Sequence, residues 1–264
     1  MFYIICMIKL EKTQVYGLDN AIRAMRNPLN SWKKSDSSYY GYCFVNDEYT
    51  DHTCTYDECY KECSKDPKFQ IGETDMKLCK ALIKAGSSDR KFLRMIHVQV
   101  DITAPLYFLK EFDTYKISTV ANSCSTMHKI HSRDLTIDDF SHEHLEEPML
   151  NTLKGIIDLM NLYRKKFVET KDKTNWWQII QMLPTSYNQM RTWDGSYETL
   201  LSMYFQRRNH KLDEWHTLCD WILELPYMKD FIGALEEQKE EKKEKKEDKI
   251  SDHMVDNLML NNQI

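Results

Sequence analysis

The sequence predicts an α+β fold: a twisted, mainly antiparallel sheet flanked by helices, a helical second half and a charged C-terminal tail. The opening run MFYIICMIKL is rich in β-branched and aromatic residues, which is typical of a buried strand. The run RMIHVQVDITAP alternates apolar and polar residues up to Pro105, the pattern of a half-buried strand. From Asp138 onward, apolar residues recur every three to four positions, which predicts helices. The alternating apolar residues of the second run are Ile96, Val98, Val100 and Ile102.

Three helices are predicted in the first half of the chain. In GLDNAIRAMRNPLNSW, Asp19 is a suitable N-cap for a short helix that stops before Pro28. The run GETDMKLCKALIKAG ends on Gly86, a residue type favoured just after a helix. LYFLKEF has a helical pattern and directly follows the alternating strand. The apolar positions expected on one face of the second helix are Met76, Leu78, Ala81 and Leu82.

The second half of the chain is predicted to contain a long helix followed by shorter ones. EEPMLNTLKGIIDLMNLYRKKF carries a stripe of apolar residues, which favours a buried face over a cofactor site. WWQIIQMLP predicts a helix that ends at Pro184, and YETLLSMYFQRRNHKLDEWHTLCDWILELP predicts one or two more. The stripe of the long helix consists of Met149, Leu153, Ile156, Ile157, Met160, Tyr163 and Phe167.

Length and composition favour one domain with a tail. A chain of 264 residues with 42% hydrophobic residues and six tryptophans can bury a substantial core. We expect one domain over residues 1–235, interrupted by a Cys-rich insertion at 34–72 that has no periodicity and is predicted to be an elaborated loop. Residues 236–264 mix both charge signs densely, which predicts a solvated, partly helical and partly disordered tail.

Charge and segment composition narrow the partners. A formal net charge of −5 gives no reason to expect a nucleic-acid partner, whose footprint would be a basic face. The apolar start has no basic flank or small-residue cleavage site and is too short to span a bilayer, so we expect no membrane partner. We therefore expect a cytoplasmic protein whose eight cysteines are mostly reduced thiols.

The glycine count excludes the commonest nucleotide-binding motifs. With seven glycines, the chain has neither a dinucleotide-binding nor a phosphate-binding glycine loop. The nucleophile motif G-x-S-x-G and the zinc motif H-E-x-x-H are also absent.

Metal binding is a weak possibility in the Cys-rich insertion. Thiolate and imidazole ligands suit zinc, but the spacing C-x4-C-x3-C lacks the tight knuckle of zinc sites, and a Cys-rich insertion without metal is favoured. Histidine pairs further along the chain have spacings that are common by chance. The insertion candidates are His52, Cys54, Cys59 and Cys63, and the histidine pairs are His128 with His131 and His142 with His144.

The polar stretch EFDTYKISTVANSCSTMHKIHSR, at 111–133, is either a surface loop or a phosphate cradle. Hydroxyl and amide side chains satisfy irregular backbone, and they also bind phosphate as neutral donors. Within it, Cys124 lies near Lys116, His128 and Lys129, whose charge would favour a thiolate nucleophile. No residue at fixed spacing identifies a base for it, so packing is favoured and the catalytic residues stay unknown.

The run QRRNHK at 206–211 presents two arginines on an amphipathic helix. Arg207 and Arg208 point roughly 100° apart, so one can face a cleft while the other faces solvent. An inward guanidinium needs an anion, which a phosphate or a protein carboxylate would supply.

Two blocks of the sequence resemble the flavin-dependent thymidylate synthase family, also known as thymidylate synthase complementing protein. That family has a strand ending in A-P, a helix with R-Q-W, an R-H-R triplet, a polar loop ending in S-x-R-Y, then L-P and a helix with L-x-x-F-L-x-L-R. Here Ala104 and Pro105 end the strand, LYFLKEFDTYK follows at the same length, and ISTVANSCSTMH resembles the loop. Leu183 and Pro184 precede LLSMYFQRR, which places Arg207 on the last arginine. The resemblance covers roughly residues 90–225.

The resemblance implies the family's fold as a homotetramer, with FAD as cofactor. It further implies reductive methylation of deoxyuridylate (dUMP) to thymidylate, with methylenetetrahydrofolate as one-carbon donor and NADPH as reductant. The nucleotide would be held by Glu111, Ser125 and Arg207. The flavin would be lined by Thr114, Tyr115, Lys116 and Asn122.

The resemblance has departures at its arginines. Thr114, Tyr115 and Lys116 occupy the R-H-R triplet, and Met127 occupies the loop arginine. Hydroxyls do not replace the bidentate phosphate contacts of arginine. The alternative function is therefore a non-catalytic or repurposed nucleotide-binding or assembly protein on the same fold.

Overall fold

The computed structural model describes residues 8–45, 48–54 and 68–240, with side chains at 8–39 and 68–240. The chain divides into two units, which are described separately below: residues 1–16 with 97–223, and residues 17–96 with 224–264. The expectation of one domain over 1–235 stays a prediction.

The described part of the chain combines antiparallel sheets with helices, so the predicted α+β fold is confirmed. The strands are β1 (Lys9–Tyr16), β2 (Ser38–Val45), β3 (Glu48–Cys54), β4 (Lys68–Gln70), β5 (His97–Pro105), β6 (Thr119–Ser123) and β7 (Asn188–Ser196).

The helices include all those predicted from the sequence. They are α1 (Leu18–Ala24), α2 (Glu73–Ala85), α3 (Leu106–Phe112), α4 (Thr126–Lys129), α5 (Glu147–Thr170), α6 (Lys173–Met182), α7 (Tyr197–Arg207), α8 (Asp213–Glu224) and α9 at residues 228–240. The described start of the predicted tail, 236–240, is thus helical.

The first unit is built on a four-stranded antiparallel sheet with the order β1-β5-β7-β6. β5 is the alternating strand predicted from the sequence, and it is central. Its apolar residues are buried while Gln99 is exposed, so one face of the strand packs against the core. The buried residues are Val98, Val100, Ile102 and Ala104.

β7 was not predicted, because polar residues and a glycine interrupt its pattern. Arg191, Trp193 and Gly195 are buried on one face, while Met190 and Thr192 are exposed on the other. A Cβ at Gly195 would lie 2.1 Å from the Trp193 ring. The position of the indole therefore leaves room only for glycine at residue 195.

β1, the first strand described, begins at the end of the opening run that was predicted to be a strand. Residues 1–7 of the opening run lie outside the described residues, and the strand runs over Lys9–Tyr16. Most of its side chains are exposed, because β1 lies at the edge of the sheet. Most of the predicted buried strand therefore lies outside the described residues; of its described end, Ile8 is buried, and Lys9 and Leu10 begin β1.

α5 packs into a second apolar cluster of the first unit. Met149, expected in the buried stripe, is 59% exposed near the start of the helix. Leu153, Ile157 and Met160 are buried, so the stripe is narrower than predicted. The cluster consists of Ile130, Leu135, Phe140, Leu153, Ile157, Met160 and Ile179.

The second unit contains a three-stranded antiparallel sheet with the order β3-β2-β4. The prediction of a loop over 34–72 was wrong in this part, because residues 38–45 and 48–54 form paired antiparallel strands and 68–70 add a third strand. Tyrosines, threonines and cysteines are mixed along this part of the sequence, so no simple alternation of apolar and polar residues is visible.

α1 and α2 form where the sequence predicts them, with different details. Gly17, at φ 76°, precedes α1 in place of the predicted cap Asp19, whose carboxylate instead accepts a 2.6 Å hydrogen bond from Tyr39. The buried face of α2 is Asp75, Cys79 and Ile83 at a spacing of four, and the predicted apolar positions are at most half-buried.

Candidate functional site

The end of α3 is fixed by an aromatic cluster in the first unit. Phe108 and Phe112 are fully buried and lie one helical turn apart. Phe108 packs against Trp215 at 4.8 Å between ring centroids, and Phe112 packs against Trp193 at 5.4 Å. Because these rings anchor the helix on one side, Glu111 projects from another side and stays 39% exposed.

The Glu111 carboxylate contacts three side chains that belong to a later part of the chain, and it accepts hydrogen bonds from two of them, Arg207 and Trp215. Its Oε2 atom lies 3.4 Å from Arg207 Nη1, 3.3 Å from His210 Nε2 and 3.2 Å from Trp215 Nε1. α7, the turn after it and α8 thus converge on one carboxylate of α3. We call Glu111, Tyr115, Arg207, His210 and Trp215 the Arg207 cluster.

Arg207 is held by aromatic rings as well as by the carboxylate. Its Nε donates to the Tyr115 hydroxyl at 2.9 Å, and its guanidinium lies 4.8 Å from the Trp215 ring centroid and 5.6 Å from that of Tyr115. Cation–π contacts of this kind orient a guanidinium without neutralising it. Among the described residues, Nη2 has no hydrogen-bond partner, so this nitrogen is available to an anionic ligand.

The hydrogen bonds of His210 fix its tautomer. The Leu212 backbone N–H donates to Nδ1 at 3.1 Å, so Nδ1 is an acceptor. Nε2 then carries the proton and faces Glu111 Oε2 at 3.3 Å. A neutral imidazole satisfies both contacts, and the cluster therefore contains one carboxylate and one guanidinium.

The turn after α3 contains three predicted flavin residues, two of which are engaged internally. The Thr114 hydroxyl donates to the Glu111 carbonyl at 2.7 Å, and the Tyr115 hydroxyl donates to Gln206 at 2.9 Å. Lys116 is exposed and forms no ion pair or hydrogen bond among the residues that the structure describes.

The polar stretch at 111–133 is not a single loop, because it contains the edge strand β6 and the short helix α4. β6 pairs with β7 from Thr119 to Ser123, and Asn122 lies opposite Thr192 with its side chain exposed. Ser125 is the N-cap of α4, and its hydroxyl accepts from the His128 backbone N–H at 3.2 Å. The predicted site residues on this stretch, Asn122 and Ser125, are therefore exposed, and Ser125 already forms a hydrogen bond that caps α4.

Arg191 is the site residue that the sequence reasoning missed. It is 5% exposed, its Nη1 lies 2.5 Å from Asp113 Oδ1, and its Nη2 donates to Gln189 at 3.1 Å. Gln189 in turn donates to the Cys124 carbonyl at 2.7 Å. Arg191 thus ties the turn after α3 to the end of β6. The alternation of β7, had it been recognised, would have placed this arginine on the buried face.

Tyr107, on the first turn of α3, has its side chain held in place by a hydrogen bond within the protein. Its hydroxyl donates to the buried carboxylate of Glu214. Burial, reinforced by that carboxylate, raises the pKa of Tyr107 above its ordinary value, so the phenol stays protonated.

The nucleophile and metal hypotheses gain no support from the described residues. Cys124 is an exposed free thiol, and no side chain of the described part forms a hydrogen bond with its sulfur. No group of three or more metal-ligating side chains occurs within residues 8–39 and 68–240. The zinc candidates His52, Cys54, Cys59 and Cys63 have side chains outside that part.

The fold is similar to that of solved flavin-dependent thymidylate synthases. The chain matches a crystal structure of thymidylate synthase X from Helicobacter pylori with FAD and dUMP at a TM-score of 0.58 and 14% identity, over 85% of this chain and 95% of that chain. A second structure, of the flavin-dependent thymidylate synthase of the same bacterium complexed with FAD and dUMP, matches at a TM-score of 0.54 and 15% identity, over 85% and 96%. At these identities the likeness shows the fold. No protein-family model and no curated protein matches the sequence.

Within the part of the chain that the structure describes, every helix is too short or too polar to cross a bilayer.

Proposed function

We propose that the protein binds dUMP and FAD and catalyses a reductive methylation of the thymidylate synthase type. The observation that carries the proposal is the Arg207 cluster, in which an arginine held over two aromatic rings keeps Nη2 available for an anion. Nucleotide phosphate is an anion that a preorganised guanidinium binds well. Support also comes from the shared fold, since the similar structures contain FAD and dUMP.

The nucleotide would be held by Glu111, Ser125 and Arg207. Arg207 would donate to the phosphate, and the Glu111 carboxylate would accept from a ligand N–H through Oε1, which accepts no hydrogen bond from the described residues. Ser125 can donate its hydroxyl proton to a ligand while its oxygen accepts from the backbone of α4.

The residues at the predicted flavin site fit the cofactor in part. Lys116 and Asn122 are exposed and free to bind, whereas Thr114 and Tyr115 already donate within the protein. Lys116 would supply a charge for a flavin phosphate, and Asn122 would supply amide hydrogen bonds. When bound, the flavin would supply hydride chemistry with NADPH as reductant and methylenetetrahydrofolate as one-carbon donor. The chain's own residues would bind and orient the ligands.

The proposal extends to assembly and location. As in the family that the sequence resembles, we propose a homotetramer in the cytoplasm. The apolar residues exposed on α5, such as Leu159 and Leu162, are consistent with contact between subunits.

A second candidate function is a non-catalytic or repurposed nucleotide-binding or assembly protein. One observation favours it: the polar groups of the Arg207 cluster largely satisfy one another, so they do not require a ligand. Such a network stabilises the fold whether or not the chain has turnover.

Expression in a thymidine-requiring host that lacks its own thymidylate synthase tests the two candidates. Growth without thymidine supports the synthase, and the Arg207→Gln variant should then fail to support growth at equal soluble expression. Absence of growth with well-expressed wild-type protein favours the second candidate. A visible spectrum of the purified protein after incubation with FAD separates lost cofactor binding from lost turnover.

A further inference from the structure

A basic cavity lies in the first unit, between α4, the end of α5 and the start of α6. Its volume is about 380 Å³, and it shares no residue with the Arg207 cluster. Its lining combines aromatic and positively charged side chains and contains no carboxylate. The lining residues are Met127, His128, His131, Phe167, Lys171, Lys173 and Trp176.

Two features of the backbone give the cavity its shape. Lys171 ends α5 in the left-handed conformation, at φ 58°, and its N–H donates to the Phe167 carbonyl at 2.8 Å. The chain therefore reverses between α5 and α6, which brings Lys171 and Lys173 to the same opening. The Trp176 indole N–H donates to the Met127 carbonyl at 3.3 Å and so holds α4 against α6.

The lysines and histidines of the cavity form no ion pair within the described part of the chain. Asp172 lies between the two lysines in sequence, but it does not line the cavity, and its carboxylate accepts from the Thr174 backbone N–H at 2.9 Å as the N-cap of α6. The Lys173 ammonium instead lies 6.0 Å from the Trp176 ring centroid and 5.8 Å from that of Trp177.

His131 adds an unsatisfied polar atom. Its Nδ1 is buried and has no hydrogen-bond partner among the described residues. The ring is held edge-on to Phe167, with centroids 5.0 Å apart and an interplanar angle of 85°. A buried nitrogen without a partner is costly.

These observations favour an anion over a metal ion. Two lysine ammonium groups would repel a cation from the histidines, so the metal reading of His128 and His131 is disfavoured. Several donors on a concave surface with aromatic walls match a phosphoryl group, whose oxygens accept several hydrogen bonds at once.

We propose that this basic cavity binds a phosphoryl group, with Lys171 and Lys173 as its main charged contacts. The site goes beyond the proposed nucleotide site, since its lining contains none of Glu111, Ser125 and Arg207, although Ser125 caps the helix α4 at its edge. The phosphoryl group can belong to a phosphate monoester such as a nucleotide or to free inorganic phosphate, and the experiment separates the two sources.

Titration with inorganic phosphate, followed by intrinsic tryptophan fluorescence at constant ionic strength in sodium chloride, tests the proposal. We expect saturable binding that weakens at least tenfold in the double variant Lys171→Gln, Lys173→Gln, because two charge-assisted contacts are removed. The matched control is Lys154→Gln, Lys165→Gln, which removes two exposed charges from α5 outside the lining. The control should bind phosphate as the wild type does.

Two results would overturn the proposal: absence of saturable phosphate binding to the wild type, or equal weakening in the two double variants. Parallel titrations with dUMP and with deoxyuridine, carried out on Arg207→Gln, identify the source. Tighter binding of dUMP than of phosphate, lost in the variant that also lacks Lys171 and Lys173, assigns the site to a phosphate monoester. Equal binding of both, with none of deoxyuridine, assigns it to the free anion. Because these titrations use the Arg207→Gln variant, they do not depend on whether dUMP binds at Arg207. A negative result for the proposed function therefore does not decide the proposal for the basic cavity.

Discussion

Arg191 Nη1 lies 2.5 Å from Asp113 Oδ1, and this ion pair joins the central strand β7 to the turn that follows α3. The guanidinium is almost fully buried, with 7% of its side chain exposed, whereas the Asp113 side chain is 53% exposed. The arginine therefore depends on the carboxylate more than the carboxylate depends on the arginine. Its Nε is buried without a partner among the described residues, which makes the remaining contacts more important.

Removing the carboxylate of this pair should destabilise the first unit. We expect Asp113→Ala to lower the free energy of unfolding by about 1–3 kcal/mol, because a buried guanidinium loses its charged partner. Arg191→Met should cost less than Asp113→Ala, since an apolar side chain of similar length leaves no buried charge. Urea unfolding of both variants and of the double variant measures this order, and the reverse order would show that the pair is not what holds the turn.

Arg207 should act on ligand binding more than on stability. We expect Arg207→Gln to weaken dUMP binding by about 10-fold to 100-fold, since one charge-assisted contact to phosphate is lost. Arg208→Gln is the matched control, because the Arg208 guanidinium lies over the Tyr204 and Phe205 rings rather than in the cluster. Calorimetric titration with dUMP checks both variants, and equal losses would argue against a specific role for Arg207.

Asp75 is expected to be the most sensitive buried carboxylate of the second unit. It is fully buried, pairs with Arg26 at 2.5 Å and accepts four further hydrogen bonds from Ser35, Asp36 and Ser37. Asp75→Ala should cost about 3–5 kcal/mol, since it leaves a buried guanidinium and several donors unpaired. Denaturant unfolding measures the loss, with exposed Glu73→Ala on the same helix as the control; similar values for the two would contradict the role of Asp75.

Stability should fall at alkaline pH through the buried thiols. Burial, with a smaller contribution from Asp75, raises the pKa of Cys79 from 9.0 to about 12, and burial raises that of Cys219 to about 11. Because the folded-state pKa is the higher one, the protonated thiol favours the folded state below pH 9, and this contribution is lost as the pH rises toward 12. For Cys79 the loss approaches about 4 kcal/mol in total.

Urea unfolding at several pH values between 8 and 11 measures this decline. The Cys79→Ala variant should be less stable at pH 8 but should lose less stability on going to higher pH. A variant with the same pH dependence as the wild type would show that Cys79 does not titrate on unfolding.

The sequence predicted the elements whose pattern follows burial on one face. β5 alternates because it lies between two strands above a core, and α5, α6 and α7 show helical spacing for the same reason. β7 is equally central, yet Arg191 and Gly195 occupy its buried face, so the alternation of hydrophobicity is lost. β6 lies at an exposed edge of the sheet. Its side chains are mostly exposed there, so serine, threonine and asparagine are accommodated as well as apolar residues.

The candidate site could be predicted only where its residues are near a motif. Glu111 and Arg207 were both assigned to the nucleotide from the resemblance, and their side chains lie together in the structure, while their role in binding stays a prediction. Arg191 is placed at the site by the pairing of β7 with β6, and His210 by the turn after α7. Neither placement follows from a local sequence pattern. Ser125 was assigned to the nucleotide, but the sequence alone could not show that its hydroxyl also caps α4.

Ser125 offers a direct separation of a structural role from a binding role. Its Oγ accepts from the His128 N–H, and an aspartate at this position would keep that cap while adding a negative charge. We expect Ser125→Asp to retain the stability of the wild type, whereas Ser125→Ala should lose about 1 kcal/mol. If Ser125 contacts the nucleotide phosphate, Ser125→Asp should weaken dUMP binding more than Ser125→Ala does, because like charges repel. Thermal unfolding and dUMP titration of both variants give the two orders, and unchanged dUMP binding in Ser125→Asp would remove Ser125 from the nucleotide site.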